Sequence, residues 1–491
     1  MFEYIDKRNT HFENYIISPA NNLGLVNTIN DIYEETKKGK QHLLITKYQQ
    51  KYGNSLSCNI TIPYTYKDEK KVKIIKDLVI INNPEDSERI SNTHIKKMPN
   101  LKPFLYDSII STTDIYEWKK QRQTFQPAFS VNNELKKIIE LSNKRAEYSI
   151  QLLDMNISDN NISANNISDN EVNISEFFLN ETQAQLQLAL FGFSNKFQKE
   201  TNKKIRDSFN GIDIKYTRQF SFDLLNETKK SSGPLSLAFQ NRKTNNKKEL
   251  FGNAIIFTFA GHDTTANTLT WLIYELCNNL GIQERLQQEI DLFWYVQKDK
   301  PICYEDLKRL PFMTKCIMEI LRLWSPIPNG TYRELIKDDY IIGINNEKVI
   351  LPKGTYVQIP NWSRHRNPEL WGEDANIFNP DREFRDDEIW NGEVLSSYNP
   401  SSKRFSPFTY GPRDCIGKNF SQMEMRIILV HLLRKYSFQL SHKQLHSYKK
   451  EDIGINKFTL GPRDYYDRDK IGLYVNIYDR YIKKKQFKSK L

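Results

Sequence analysis

Long apolar runs are missing from this chain of 491 residues. No stretch approaches the roughly 18 apolar residues that a helix needs to cross a bilayer, so no transmembrane segment is expected. The opening residues, Met1 to Lys7, carry charge where a secretory leader would have its apolar core, so no signal peptide or anchor is expected either. Cysteine is scarce: Cys58, Cys277, Cys303, Cys316 and Cys415 are odd in number, far apart and form no CxxC pair. That argues against a disulfide framework or a zinc knuckle and favours a reducing compartment. Negative charge is in deficit, with 71 Lys+Arg against 60 Asp+Glu and a formal charge of +11. A nucleic-acid binder would have such a balance, but the charge is spread along the chain and no basic-aromatic module accompanies it, so no nucleic-acid partner is expected. A basic face for an acidic protein partner accounts for the same surplus, and a Lys/Asn/Ile-rich coding bias contributes to it.

What is present is material for a large core: 38% hydrophobic residues, including 27 Phe and 26 Tyr. The length suits about three average domains or one large enzyme domain. Residues 1–50 carry short helical patterns. The stretch 48–81 reads as a small β region, and a second β stretch is expected over 333–360. Within 154–175 the triplet Asn-Ile-Ser recurs four times on a polar background, which reads as a low-complexity, disordered surface insert. The interval 193–259 contains the breaker Ser231-Ser232-Gly233-Pro234. A basic tail occupies 483–491 and ends Ser489-Lys490-Leu491, a match to the peroxisomal address, for which a chance ending in a lysine-rich tail is the rival.

Five short patterns concentrate residue types that need a local reason. In Phe408-Thr409-Tyr410-Gly411-Pro412-Arg413-Asp414-Cys415-Ile416-Gly417 two glycines bound one cysteine, and Arg413 places a positive charge near a sulfur that must ionise to bind a metal. Cys415 alone would pass for an ordinary packed cysteine. A thiolate on a rigid loop before a helix, Lys418 to Leu433, suits a prosthetic group with its own remaining ligands, and haem needs only one from the protein. Trp118 and Arg122 lie four apart on one helical face, an arrangement that takes a carboxylate or, more plainly, a core Trp beside a solvated Arg. Residues 249–280 form the longest helical pattern. Its centre, Ala260-Gly261-His262-Asp263-Thr264-Thr265, combines low helix propensity with an acid and two hydroxyls. Either a ligand lies beside it or the hydroxyls bond back to the preceding turn. Glu319 and Arg322 form an i, i+3 pair among apolar residues, which needs a third polar partner if buried; Arg382, in Asn379-Pro380-Asp381-Arg382, is the candidate. Arg333 precedes Pro352-Lys353-Gly354-Thr355, and His365 reads as a capping or packing histidine.

The spacing Phe-x-x-Gly-x-Arg-x-Cys-x-Gly, with Phe420 and Glu424 downstream, resembles the haem-binding loop of the cytochrome P450 superfamily. The other four patterns follow in that family's order between Trp118 and Val475. The resemblance implies the P450 fold, mainly α with a smaller β region, as a single domain over 1–491. It implies Cys415 as axial ligand of haem b, Trp118, Arg122, Arg333 and Arg413 as cofactor-binding residues, Asp263 and Thr264 as the catalytic proton relay, and Glu319, Arg322 and Arg382 as a structural triad. The family's phenylalanine directly after that last arginine is replaced by Glu383, with Phe384 one place later. The helices that roof the family's substrate pocket are shortened over 193–259. The activity implied is monooxygenation of a small apolar substrate. Electrons would come from NADPH and flavin in a separate partner, an NADPH-cytochrome P450 reductase or similar donor, docked on a basic face for which Lys119, Lys120, Lys418 and Arg426 are candidates. Alternatives are an isomerase or dehydratase of the same fold, for which Asp263-Thr264 would be unnecessary, and a non-catalytic haem or lipophile-binding protein. A soluble or peripheral monomer on the cytosolic side is expected.

Overall fold

In the computed structural model the described residues are 4–6, 15–53, 55–67, 73–130, 134–163, 171–201, 204, 214–298, 300–388, 403–445, 454–456 and 459–481. The tail 483–491, with Ser489-Lys490-Leu491, lies outside them. Twelve strands are described. They are β1 (Tyr4–Asp6), β2 (Ile60–Lys67), β3 (Lys73–Ile80), β4 (Glu171–Asn173), β5 (Thr331–Glu334), β6 (Asp339–Ile342), β7 (Lys348–Leu351), β8 (Tyr356–Ile359), β9 (Tyr436–Leu440), β10 (Gly454–Asn456), β11 (Leu460–Pro462) and β12 (Tyr474–Asp479). The principal sheet centres on β3. Antiparallel β2 lies along one edge (Ile60 opposite Ile80), and parallel β1 and β8 share the other (Tyr4 opposite Lys73, Leu78 opposite Tyr356). Antiparallel β5 continues the sheet beyond β8, Thr331 facing Ile359. The pattern alternates in β5, so Thr331 and Arg333 share its buried face.

The helices used below are α1 (Ile115–Phe125), α2 (Lys136–Ser163), α3 (Ile174–Gln185), α4 (Ile214–Thr228), α5 (Pro234–Asn241), α6 (Lys247–Ala260), α7 (Asp263–Asn278), α8 (Leu280–Gln297), α9 (Pro311–Leu323) and α10 (Lys418–Lys435). Their starts are written locally. Asp114 accepts from the Tyr116 and Glu117 N–H groups to open α1, and Asn246 from Lys248 and Glu249 to open α6. Pro311 occupies the first turn of α9, where its missing N–H costs nothing. The helices pack round one large apolar cluster, with two smaller clusters over the principal sheet.

Three expectations are corrected. Gln41–Tyr52 is helical, so the first β region begins at Ile60 and not near 48. The burial of His42, Leu44, Ile45, Tyr48 and Gln49 draws this stretch into a helix against the core. The 154–175 insert is not uniformly irregular: α2 runs to Ser163, and β4 pairs with β12 before Asn173 caps α3, leaving 164–170 outside the described residues. The long helical pattern at 249–280 is divided into α6 and α7 at Gly261 and His262.

Packing requires the glycine at that break. A Cβ on Gly261 would lie 2.7 Å from Leu186 Cδ1 and 2.6 Å from the Phe257 carbonyl oxygen, so only glycine lets α6 approach the π-helical turn Leu186–Leu190 this closely. On the far side of the break, Trp271 of α7 stacks on Trp324 with centroids 3.7 Å apart and donates through Nε1 to the Leu460 carbonyl at 2.9 Å. The break is thereby held between two fixed helices.

Candidate haem site

Cys415 stands at the end of a loop closed by its own backbone. The Cys415 N–H donates to the Phe408 carbonyl at 2.9 Å, Asp414 N–H to Gly411 at 3.1 Å and Thr409 N–H to Ser406 at 2.9 Å. Gly411 has φ +75, and a Cβ there would meet Asn92 Oδ1 at 2.7 Å. Gly417 needs no positive φ; a Cβ on it would touch only Phe129 Cε1, at 3.8 Å. Gly411→Ala is expected to lower stability by about 1–2 kcal/mol through its left-handed backbone alone, more if Asn92 cannot retreat, read as a fall in thermal midpoint.

The Cys415 side chain is exposed although Tyr410, Arg413 and Phe420 around it are buried. The protein packed round the loop desolvates the thiol and pushes it above the ordinary cysteine value, while the Gly417 N–H, Arg122 and Lys418 pull the other way. A thiolate is therefore favoured here only when a cation sits on the sulfur.

Positive charge collects beside this loop without carboxylates. Arg413 lies over the Trp118 ring at 4.6 Å and donates through Nη2 to the Thr112 carbonyl at 3.1 Å, leaving Nε unpartnered. Arg333, fully buried, donates through Nη1 to Thr331 Oγ1 and to the Tyr332 carbonyl, leaving Nε and Nη2 unpartnered. Lys97 donates to the same Thr331 hydroxyl at 2.8 Å. Burial is the main cause that brings Arg413 down to about 9 and Arg333 to about 10. Lys97 is driven well below the ordinary lysine value by burial and by both arginines. Among the described residues no carboxylate is bonded to these three. Buried unpaired cations are expensive, so the cluster calls for an anionic ligand.

Arg122 does something else. It donates through Nη1 to the Asp414 carbonyl and through Nη2 to Asp414 Oδ1, both at 2.7 Å, and through Nε to Gln126 at 3.0 Å. It clamps the cysteine loop to α1, and Lys418 reaches the other Asp414 oxygen at 2.8 Å. Lys97 escaped the sequence analysis because Lys96-Lys97 looks like ordinary surface charge. Only pairing of this loop with β5, Glu334 N–H to Lys96 carbonyl at 3.0 Å, turns Lys97 inward.

The helix break lies opposite in the same core. Phe129, beside Gly417, stacks on Phe257 of α6 at 5.9 Å, and Asn253 of α6 donates to Gln121 of α1 at 3.0 Å. Ala260 is exposed between buried stretches of helix. Thr264 Oγ1 bonds back to the Ala260 carbonyl at 3.2 Å and Thr268 to the Thr264 carbonyl at 2.8 Å, so the plain hydroxyl-to-turn bonding anticipated from sequence is present. The Asp263 carboxylate accepts from Thr459, and burial raises its pKa.

Beneath the loop, Glu319 and Arg322 are wholly buried and paired twice, Nε to Oε2 at 2.8 Å and Nη2 to Oε1 at 2.7 Å. Arg322 also donates to the carbonyls of His365 and Ala375 at 2.8 and 2.7 Å. Arg382 joins Glu319 Oε1 at 3.1 Å and Asp374 at 2.7 and 2.8 Å. Phe384, displaced by one position, still packs edge-on to Trp371 and Phe405. His365 accepts the Ser406 N–H on Nε2 at 3.1 Å, a capping contact. Arg426 is corrected as a docking residue: it is buried and bonded to Gln422 and Thr314. Lys119 remains exposed, whereas Lys120 is paired with Glu117.

A cysteine loop beside buried guanidinium groups without carboxylate partners is an arrangement of haem-thiolate proteins. The cytochrome P450 family model matches residues 158–465, and the chain belongs to that family. Over 196 residues it is 33% identical to the putative cytochrome P450 CYP13A5 of Caenorhabditis elegans, covering 39% of this chain and 34% of that protein. Over 205 residues it is 33% identical to human cytochrome P450 4F8, covering 42% and 36%. It is 34% identical over 210 residues to the cytokinin hydroxylase of Arabidopsis thaliana, covering 42% and 37%. The matched stretch spans about a third of the length of these curated relatives. Family membership implies haem, and the residues fit it: an accessible sulfur for the iron, and spare guanidinium nitrogens for the carboxylates of the porphyrin. Among the described residues no helix is long and apolar enough to cross a membrane.

Proposed function

We propose that this chain is a haem-thiolate monooxygenase that converts an apolar substrate RH with O₂, two electrons and two protons into ROH and water. The observation that carries this reading is the accessible Cys415 sulfur beside buried cations that lack carboxylate partners. Haem b, held without a covalent link, supplies reductive activation of O₂ when bound. Cys415 would hold its iron through the sulfur, and Arg333, Arg413 and Lys97 would take the haem carboxylates, with the Trp118 ring packed against Arg413. Arg122 serves the site by fixing Asp414 and with it the turn that ends at Cys415. Asp263 holds a proton at its carboxyl oxygen and Thr264 passes one through its hydroxyl to the open side of the break. Glu319, Arg322 and Arg382 hold the segment that leads into the loop.

Electrons come from NADPH through a flavin-bearing reductase, for which exposed Lys119 on α1 offers part of a basic docking face. The substrate is a small apolar molecule, the usual occupant of a mostly apolar site. The hydroxylase among the relatives supports oxygen insertion over rearrangement, as does the Asp263-Thr264 pair.

Reduction of the purified protein under carbon monoxide tests the haem assignment: the Soret band should show the red shift of thiolate ligation, and its absence would end the reading. With reductase, NADPH and an apolar probe such as dodecanoic acid, Thr264→Ala is expected to cut product per O₂ by roughly 10²-fold or more, the usual weight of one proton-transfer group. Equal coupling in both proteins would remove Thr264 from the relay.

A further inference from the structure

The acid at the helix break is held by a residue nearly two hundred positions away. Thr459, immediately before β11, is 1% exposed, and its hydroxyl donates to an Asp263 carboxylate oxygen. Its neighbours fix the direction of that bond. Asn267, one turn along α7, donates through Nδ2 to the Asp263 carbonyl at 3.0 Å and to Thr459 Oγ1 at 2.8 Å. A backbone carbonyl only accepts, so the amide nitrogen of Asn267 faces this way and the Thr459 oxygen accepts from it. The single hydroxyl proton of Thr459 is then left for the carboxylate, which also only accepts.

The hairpin that carries Thr459 is docked independently of this bond. Trp271 Nε1 holds the Leu460 carbonyl at 2.9 Å, and a Cβ on Gly461 would come within 2.5 Å of Asn267 Oδ1. Register between β11 and α7 is therefore tight, and Thr459 cannot slide to another partner while the hairpin stays down. Burial raises the pKa of Asp263, while the charge of His262 and the Thr459 hydroxyl pull it back. The packed helices α3 and α10 bring in the acids Glu181 and Glu424, Glu181 raising the proton affinity of Glu424, and both Glu424 oxygens are buried without a hydrogen-bond partner among the described residues.

We propose that Thr459 is a positioning residue of the oxygen-activating site: it holds the Asp263 carboxylate in one orientation at the helix break, so that proton delivery beside Thr264 depends on the C-terminal hairpin staying docked on α7. The contact itself does not depend on the monooxygenase reading; what the carboxylate does there rests on it.

Two measurements on the haem-loaded full chain test this. In pH-difference infrared spectra, Asp263→Asn identifies the Asp263 carboxyl band. Thr459→Val should move its titration midpoint up by about one unit, roughly tenfold in proton affinity, because a donor to the charged form is lost. Thr459→Ser should restore it, and Asn267→Ala, which removes the group orienting the hydroxyl, should move it the same way by less and serves if the valine variant does not fold. With reductase, NADPH and dodecanoic acid, the share of O₂ released as hydrogen peroxide should rise several-fold in Thr459→Val and return in Thr459→Ser. An unmoved midpoint overturns the proposal, as does a moved midpoint with unchanged peroxide share in a protein whose wild type is active. If the wild type consumes no O₂ with its reductase, the monooxygenase reading fails by itself, and the infrared shift alone decides whether Thr459 holds Asp263.

Discussion

Cys415→Ser is expected to abolish the red-shifted carbonyl Soret band completely while leaving the polypeptide folded. The loop around position 415 is closed by backbone bonds from Phe408 to Cys415 and by Arg122 on Asp414, none of which uses the sulfur. A serine hydroxyl fits the same space and accepts the same Gly417 N–H. It differs in acidity: burial already pushes the thiol upward, and an alcohol would stay protonated under the same burial even with a cation beside it. The ligand field of a thiolate is then lost, haem retention falls, and coupled O₂ uptake with it. Secondary structure by circular dichroism and the thermal midpoint of the haem-free protein should match the wild type. Cys58→Ser and Cys303→Ser are the controls. Cys58 is half-buried and Cys303 exposed, neither belongs to the loop 408–417, and neither variant should change the spectrum. A Cys415→Ser protein that keeps the red-shifted band would overturn the site.

Much of this site is legible in the sequence because its parts are short and local. The cysteine loop, the Trp118-Arg122 pair and the Asp263-Thr264 pair each lie within a few residues, and local chemistry alone marks them as odd. What escapes is whatever depends on the far end of the chain. Lys97 looks like half of a solvated lysine pair until β5 draws its neighbour into the sheet. Thr459 is one threonine in a polar stretch with no periodicity, and only the docking of β11 on α7 places it at Asp263. Arg426 errs in the opposite direction. It carries a charge that sequence assigns to a partner, yet Gln422 and Thr314 take it. α10 is buried on nearly all sides, so its arginine had to find partners inside. The division of the long helix at Gly261 has the same character: low propensity flags the spot, but the close approach of Leu186 that requires a glycine there comes from another part of the chain.

Arg322→Ala should cost about 3–5 kcal/mol, the range for removing one partner of a buried ion pair. Glu319 is wholly buried and gives both oxygens to Arg322. Without the guanidinium it keeps Arg382 on Oε1 and the Asn379 N–H, and Oε2 has no donor left among the described residues. The carbonyls of His365 and Ala375 lose their donors in the same stroke, and these precede the segment that leads to the cysteine loop. Set against total stabilities of about 5–15 kcal/mol, such a loss is a large share of the folding free energy. Arg322→Lys keeps the charge but cannot span both carboxylate oxygens and two carbonyls at once, so it should recover only part of the loss. The neighbouring pair Arg285–Asp381, at 2.6 Å and half exposed, supplies the contrast. Arg285→Ala should change stability by less than about 1 kcal/mol, because solvent screens it. Urea midpoints at equal m-value separate the two outcomes. Comparable midpoints for Arg322→Ala and Arg285→Ala would mean that the buried triad is not what secures the loop, and that Asp374 on Arg382 carries the segment alone.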